Sequence, residues 1–293
     1  MSHQNDTPIS SKQIYLDSKD ATFKKDDTST CLFYFKETLT PPHNVDMIAS
    51  VQSFTCPVSF YNINATNNYL LWNTQSNSGS VSIPFGNYTI SELIDYLKIH
   101  LTFIQSITYD KKTSKLFFQK TTYTTGETSK SFSFSNMSTC FTLLGFNKNN
   151  HATSSGNDLQ HSLFSENVVD LSGINSIYLH SNLLTYSLDS RSGGLSNILC
   201  RVPVDTDRNG LLHYNPQESY KTILRNKTID YISIRLEDDE ERSIELNGLD
   251  WAITIQIDYR YVKSTKPMTT MKSDSLLLAE KNDLDKKNST PSI

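Results

Sequence analysis

From Trp251 to Tyr261 the chain alternates without a break. Trp251, Ile253, Ile255, Ile257, Tyr259 and Tyr261 fall on one side, and Ala252, Thr254, Gln256, Asp258 and Arg260 on the other. Side chains repeat every two residues along a strand and every 3.6 along a helix, so this stretch predicts a long half-buried β-strand. Ile232, Ile234 and Leu236 repeat the pattern one element earlier. Two amphipathic strands near the end of a chain need an apolar layer opposite them, which points to a β-sandwich. The expected core residues are Ile232, Ile234, Leu236, Trp251, Ile253, Ile255 and Ile257.

The rest of the chain agrees with a β protein. Its 293 residues include 15 Tyr and 14 Phe, types that suit pleated, half-buried surfaces. Strands are expected at Gln13–Leu16, Leu32–Leu39, Val45–Phe54, Tyr69–Trp72 and Ser80–Ile83, with Ile107–Tyr109 and Lys115–Phe118 forming a hairpin around Asp110–Ser114. Further strand character lies at Phe132–Phe134, Val168–Val169, Ile174–Leu179 and Asn197–Val204. One helix interrupts them. Ile90, Leu93, Ile94, Leu97 and Leu101 make one apolar stripe, and Thr89 with Glu92 has the spacing of a capping box.

That helix and its short strands predict an inserted α+β or β-rich subdomain over 69–154. The alternative assigns those strands to the main sheets. Residues 13–68 and 155–263 then form the sandwich, with a flexible arm at 1–12 and a flexible tail at 264–293. The tail carries five Lys against four Asp and Glu from Ser264 onward, and Leu276–Leu278 is its apolar patch.

Several function classes lose support at this level. Net charge is −4, so general nucleic-acid binding is not expected. No apolar run approaches the roughly 20 residues of a membrane-spanning helix. The first residues have no basic and apolar pattern of a secretory leader, so none is expected. Cys31, Cys56, Cys140 and Cys200 are far apart in sequence and each neighbours apolar residues, which predicts buried, reduced thiols.

No H-E-x-x-H, G-x-S-x-G, P-loop or G-x-G-x-x-G motif occurs, so no enzyme, cofactor or metal is expected. Glu237–Glu241 is the densest charge cluster and reads as a solvated loop. Asp205, Asp207 and Asn209 alternate like part of a calcium loop, but the Gly follows at once and no distal Glu completes it, so they read as a turn.

Four stretches carry a family resemblance: Tyr15–Asp20, Pro57–Ile63, Pro84–Leu93, and Ile232–Asp238 continuing to Asn247–Ile255. In this order, spread over residues 14 to 261, they resemble minor capsid (penton) proteins of virophages and Polinton-like viruses. The resemblance implies a single jelly roll and a virion protein. Its homopentamers would plug the five-fold vertices of an icosahedral shell built mainly from a double-jelly-roll major capsid protein. It also implies that the last two strands lie in opposite sheets, although Asn247-Gly248 would suit a hairpin turn. The alternative is a receptor- or carbohydrate-binding sandwich such as a fibre head, with Tyr69, Trp72, Tyr88 and Tyr123 as a sugar platform.

Overall fold

The computed structural model describes residues 8–25, 28–121, 131–157, 160–183, 187, 188, 190, 194–226 and 228–261. The opening strands are β1 (Ser10–Asp17), β2 (Phe23–Lys25), β3 (Thr30–Leu39) and β4 (Val45–Pro57). There follow β5 (Tyr69–Thr74), β6 (Ser78–Ser82), helix α1 (Ile90–His100), β7 (Ser106–Asp110), β8 (Lys115–Thr121) and β9 (Phe132–Phe134). Next come β10 (Ala152–Thr153), β11 (Ser155–Gly156), β12 (Gln160–Phe164), β13 (Ser176–Ser181), β14 (Ser187–Leu188) and β15 (Leu195–Ser196). The chain closes with β16 (Ile198–Pro203), β17 (Leu211–Tyr214), β18 (Thr222–Ile223), β19 (Ile229–Glu237) and β20 (Ala252–Tyr261).

The main strands form two antiparallel sheets. One runs β1-β20-β4-β17, with β18 also on β4; the other runs β16-β13-β19-β3-β2. Counting β1, β3, β4, β13, β16, β17, β19 and β20 as first to eighth, the sheets read 1-8-3-6 and 2-7-4-5. This is jelly-roll connectivity. Among the described residues the fold is all-β apart from α1, one 3-10 turn at Ser18–Asp20 and the loops, and β19 and β20 lie in opposite sheets rather than in a hairpin.

One core fills the space between these sheets. Ile232, Ile234, Leu236, Ile255 and Ile257 have no exposed surface, and Trp251 and Ile253 keep 1% and 2%. Trp251 sits just before β20 and packs on Phe33 and Phe54 at 6.2 Å between ring centroids. Its indole N–H donates to the Thr28 carbonyl at 2.8 Å. The buried side of the alternation reaches Tyr259 and stops there: Tyr261 still pairs with Val45 but is 73% exposed. In β4 the alternation breaks at Gln52: the partners of Thr254 and Ile255 are Ser53 and Val51, so a bulge lets both Val51 and Phe54 face the core.

Strand β1 begins at Ser10, inside the stretch expected as an arm, because residues 10–17 pair in register with 259–252 of β20. Val168–Val169 form no strand; β13 starts at Ser176.

A second core joins residues from Ile63 to Leu163, which reach beyond 69–154 at both ends. Its two sheets are β10-β9-β5-β6 and β11-β12-β8-β7. Helix α1 contributes Leu93, Ile94 and Leu97, with Leu101 just after it. Both hydrogen bonds of the Thr89–Glu92 capping box form. Phe118, Phe132, Phe134, Phe141 and Phe146 build the aromatic centre. Gly79 lies under the Trp72 indole, where a Cβ would sit 2.5 Å from a ring carbon.

The two ends of the main sandwich differ. At one end β20 pairs Ala252 with Thr55, next to Pro57, where the chain leaves for the second core. At the other, Tyr261 pairs with Val45 and the Ile9 amide donates to the Tyr259 carbonyl. Ten strand residues separate these ends by roughly 30 Å.

Candidate functional site

The joint between the two cores is built around Asn62, which is 3% exposed. Its Nδ2 donates to the carbonyls of Tyr88 and Leu171 at 2.9 and 3.0 Å. Its Oδ1 accepts from the Tyr88 amide at 2.9 Å, and its own amide donates to Asn87 Oδ1 at 3.0 Å. One side chain thus ties together the segments that run out to and back from the second core. Arg208 reinforces it by donating to the same two carbonyls, from Nη1 to Tyr88 at 3.2 Å and from Nη2 to Leu171 at 2.7 Å.

Arg208 is positioned by the turn that follows Asp205. Asn209 takes φ +62°, and the Gly210 amide donates to the Asp207 carbonyl at 2.9 Å. The turn is held to the end of β4 by Asn209 N–H to Val58 O and Val58 N–H to Gly210 O, both 2.9 Å. A Cβ at Gly210 would sit 2.8 Å from the Asp207 carbonyl oxygen, so the turn favours a glycine there. Among the described residues, no group of three or more His, Cys, Asp or Glu could hold a metal ion.

The Glu237–Glu241 cluster splits, which corrects its reading as a solvated loop. Glu237 and Asp238 are each 5% exposed, and only the three residues after them face solvent. Glu237 receives His180 Nε2 at 2.9 Å and Arg235 Nε at 2.5 Å. Asp238 accepts the amides of Glu240 and Arg242 at 2.8 and 3.0 Å on Oδ1, and Arg242 Nε and Nη2 at 2.7 Å on Oδ2. Burial is tolerated because each carboxylate is fully paired. Arg242 Nη1 also donates to Thr66 Oγ1 at 3.2 Å, a further tie to the segment leading into the second core.

Asp258 is the other polar residue that the alternation misplaces. It lies on the outer face of β20 yet is 1% exposed. Ser11 Oγ and Gln256 Nε2 donate to it at 2.7 Å, and Lys221 Nζ lies at 3.5 Å. Burial pushes its pKa up, but those hydrogen bonds and the Lys221 charge outweigh burial and hold it below the ordinary value.

The thiols are poor nucleophiles. Burial pushes Cys31 up to about 11 and Cys56, Cys140 and Cys200 up to about 12. All four are free.

What remains for function is surface. The outer face of the second main sheet carries Phe23, 58% exposed, and Tyr34, 60% exposed, with Tyr231 against Tyr34 at 5.6 Å. The outer face of the first sheet carries Tyr15, 73% exposed, amid Gln13, Thr254 and Gln256. Two of the four sugar-platform residues, Tyr69 and Trp72, do not share a surface. Tyr69 and Trp72 point to opposite faces of β5, Trp72 packs at a tilt on Phe103 at 4.6 Å, and Tyr88 packs on Tyr96 at 6.4 Å. Tyr123 lies outside the described residues, as do residues 264–293.

No family model and no curated protein matches this chain. A solved structure does. The crystal structure of the selenomethionine-labelled mavirus penton protein is similar at TM-score 0.45 and 12% identity, over 85% of this chain and 99% of that one. Among the described residues, no helix is long and apolar enough to cross a membrane.

Spacing does not reveal the burial of Glu237, Asp238 and Asp258: His180, Ser11 and Lys221 come from distant segments, and the local partners Arg235, Arg242 and Gln256 are charged or polar residues that also suit a solvated surface. Asn62 had one available signal: it lies within Pro57–Ile63, one of the stretches that carry the family resemblance.

Proposed function

We propose that this chain is a structural minor capsid (penton) protein, forming homopentamers at the five-fold vertices of an icosahedral shell whose major capsid protein is a double jelly roll. The observation that carries the reading is the 1-8-3-6 and 2-7-4-5 strand order together with the placement of the resembling stretches. Pro57–Ile63 forms the crossing out of the sandwich, Pro84–Leu93 leads into α1, and Asn247–Ile255 leads into β20. Of the other two stretches, Tyr15–Asp20 closes β1 and Ile232–Asp238 lies almost wholly within β19.

The physics suits the role. Two packed sheets make a stiff wedge, and a closed ring uses heterologous contacts, one face of each copy against a different face of the next. The outer faces here differ in that way, one aromatic around Phe23 and Tyr34 and one largely polar around Tyr15. In this reading the second core is a separate unit carried at one end of the wedge. Ser10 and Tyr261, the outer ends of β1 and β20, lie at the other end.

Light scattering of the purified protein, alone and mixed with a double-jelly-roll shell protein, tests this. Five copies of the 33.3 kDa chain give about 167 kDa. Trimers that bind glycans, with no pentamer under either condition, would refute it.

A further inference from the structure

The joint between the two cores holds a cleft of about 210 Å³ beside Asn62. Both units build it. Thr142, Lys148 and Asp170 line it from the side of the second core, where the Asp170 amide donates to the Leu143 carbonyl at 3.0 Å. Asn175 and Asp239 line it from the main sandwich: the Asn175 carbonyl accepts from the Val204 amide at 3.0 Å, and Asp239 follows β19. Ligand sites favour such seams between units. Asn64, Thr66 and Asn67 spend their side chains on bonds within the joint, and Arg242 is committed to Asp238 and Glu240. The side chains of Lys148, Asp239, Asn175 and Thr142 have no partner among the described residues. Asp170 spends only Oδ1, on the amide and hydroxyl of Ser172. Unpaired polar side chains are ordinary on an open surface, but these five converge on one concave space from two units.

We propose that this cleft binds one neutral monosaccharide unit. The chemistry of the unspent groups selects that class. Two carboxylates, Asp170 and Asp239, stand against the single ammonium of Lys148, so the cleft repels an anion. The ammonium in turn disfavours a cation. Carboxylates accept, an ammonium donates, and an amide or hydroxyl does both, which matches a molecule whose every hydroxyl donates and accepts. Bonds from sugar hydroxyls to the two carboxylates are charge-assisted and therefore the strong ones. Tyr61 adds an aromatic ring to the wall, an apolar surface for the C–H face of a sugar ring. The cleft is small enough to take a single ring rather than a bound chain. The inference does not depend on pentamer formation.

Saturation-transfer NMR of the full chain tests it, with D-glucose, D-galactose, D-mannose and N-acetyl-D-glucosamine as probes and N-acetylneuraminate as the anionic control. The expected result is saturable binding of at least one neutral sugar and none of N-acetylneuraminate. Asp170→Asn and Asp239→Asn should each weaken that binding at least about tenfold, since each removes a hydrogen bond to a charged group. Glu218→Gln, outside the cleft, should leave it unchanged. No saturable binding of any neutral probe would overturn the proposal, as would equal affinity in the two Asp variants or a preference for N-acetylneuraminate. Thermal unfolding without sugar shows that the variants are folded. A second measurement is amide exchange. A sugar held by both units should slow exchange at Asn175 in the parent chain and not in Asp239→Asn. Protection confined to residues away from the joint would place the sugar elsewhere and overturn the proposal too.

Discussion

Asn62 donates from Nδ2 to the Leu171 carbonyl at 3.0 Å, across 109 positions of sequence. Through this contact a buried amide closes the base of the entire second unit, and Arg208 adds a second clamp on the same carbonyl at 2.7 Å. An amide side chain suits the position because it donates and accepts at once, and the Tyr88 carbonyl and amide need both.

Asn62→Ala therefore strands a buried N–H and weakens two carbonyl contacts. The expected loss is about 1–3 kcal/mol, the cost of buried groups left unsatisfied. Asn62→Asp should cost more, since a carboxylate placed against the Leu171 and Tyr88 carbonyls cannot donate to them. Thermal unfolding should show the lower midpoint, and exchange at Tyr88 should rise before exchange at Ile255. If Asn62→Ala melts with the parent chain, the clamp does not hold the joint.

Trp251 and Tyr261 look equivalent in the alternating pattern, yet their environments differ. Trp251 is 1% exposed between Phe33 and Phe54, and Tyr261 is 73% exposed. Trp251→Ala should cost about 3–5 kcal/mol, whereas Tyr261→Ala should stay within about 0.5 kcal/mol. Denaturant unfolding of the two variants reads this difference; similar losses would mean that Tyr261 is covered in solution.

That pair shows how far the chain is legible. Alternation locates a strand and its inner face, so the side of β20 that carries Ile253, Ile255 and Ile257 is legible from spacing alone. The helix is legible in the same way, because its cap and its stripe are local. What alternation cannot see is a partner from elsewhere. Asp258 reads as surface because Ser11 and Lys221 lie far off in sequence, and Glu237 reads as solvated because His180 does. The limits of the second core were missed for a related reason. Ile63 and Leu163 become core only when the sheets that bury them assemble.

Asp258 gives the fold an acid limit. Its pKa in the folded protein lies below the unfolded value, so its ionised form is favoured by folding. That contribution is complete above about pH 4, the ordinary carboxylate range, and is lost as pH falls through the depressed folded value. Asp258→Asn should flatten the fall of stability below pH 4 and lower stability at pH 7. Paired denaturant curves at the two pH values check this, and an unchanged acid slope in Asp258→Asn would remove Asp258 as the source.

The cysteines offer a probe of the folded state that needs no mutation. Cys56 and Cys140 have no exposed surface and Cys31 none either, and all four thiols are pushed up to about 11 or 12. At pH 8 an ordinary thiol is roughly a quarter ionised, whereas these are ionised at most about one part in a thousand. A thiol reagent should therefore label the folded protein very slowly, and the buried Cys31, Cys56 and Cys140 should react only as the core around each opens. The two cores separate the signal further: Cys140 belongs to the second core, and Cys31 and Cys56 to the main sandwich. If the second unit opens on its own, Cys140 should be labelled first as denaturant rises, and Asn62→Ala should widen the interval between Cys140 and Cys56. Simultaneous labelling in both proteins would mean that the two cores unfold as one cooperative body.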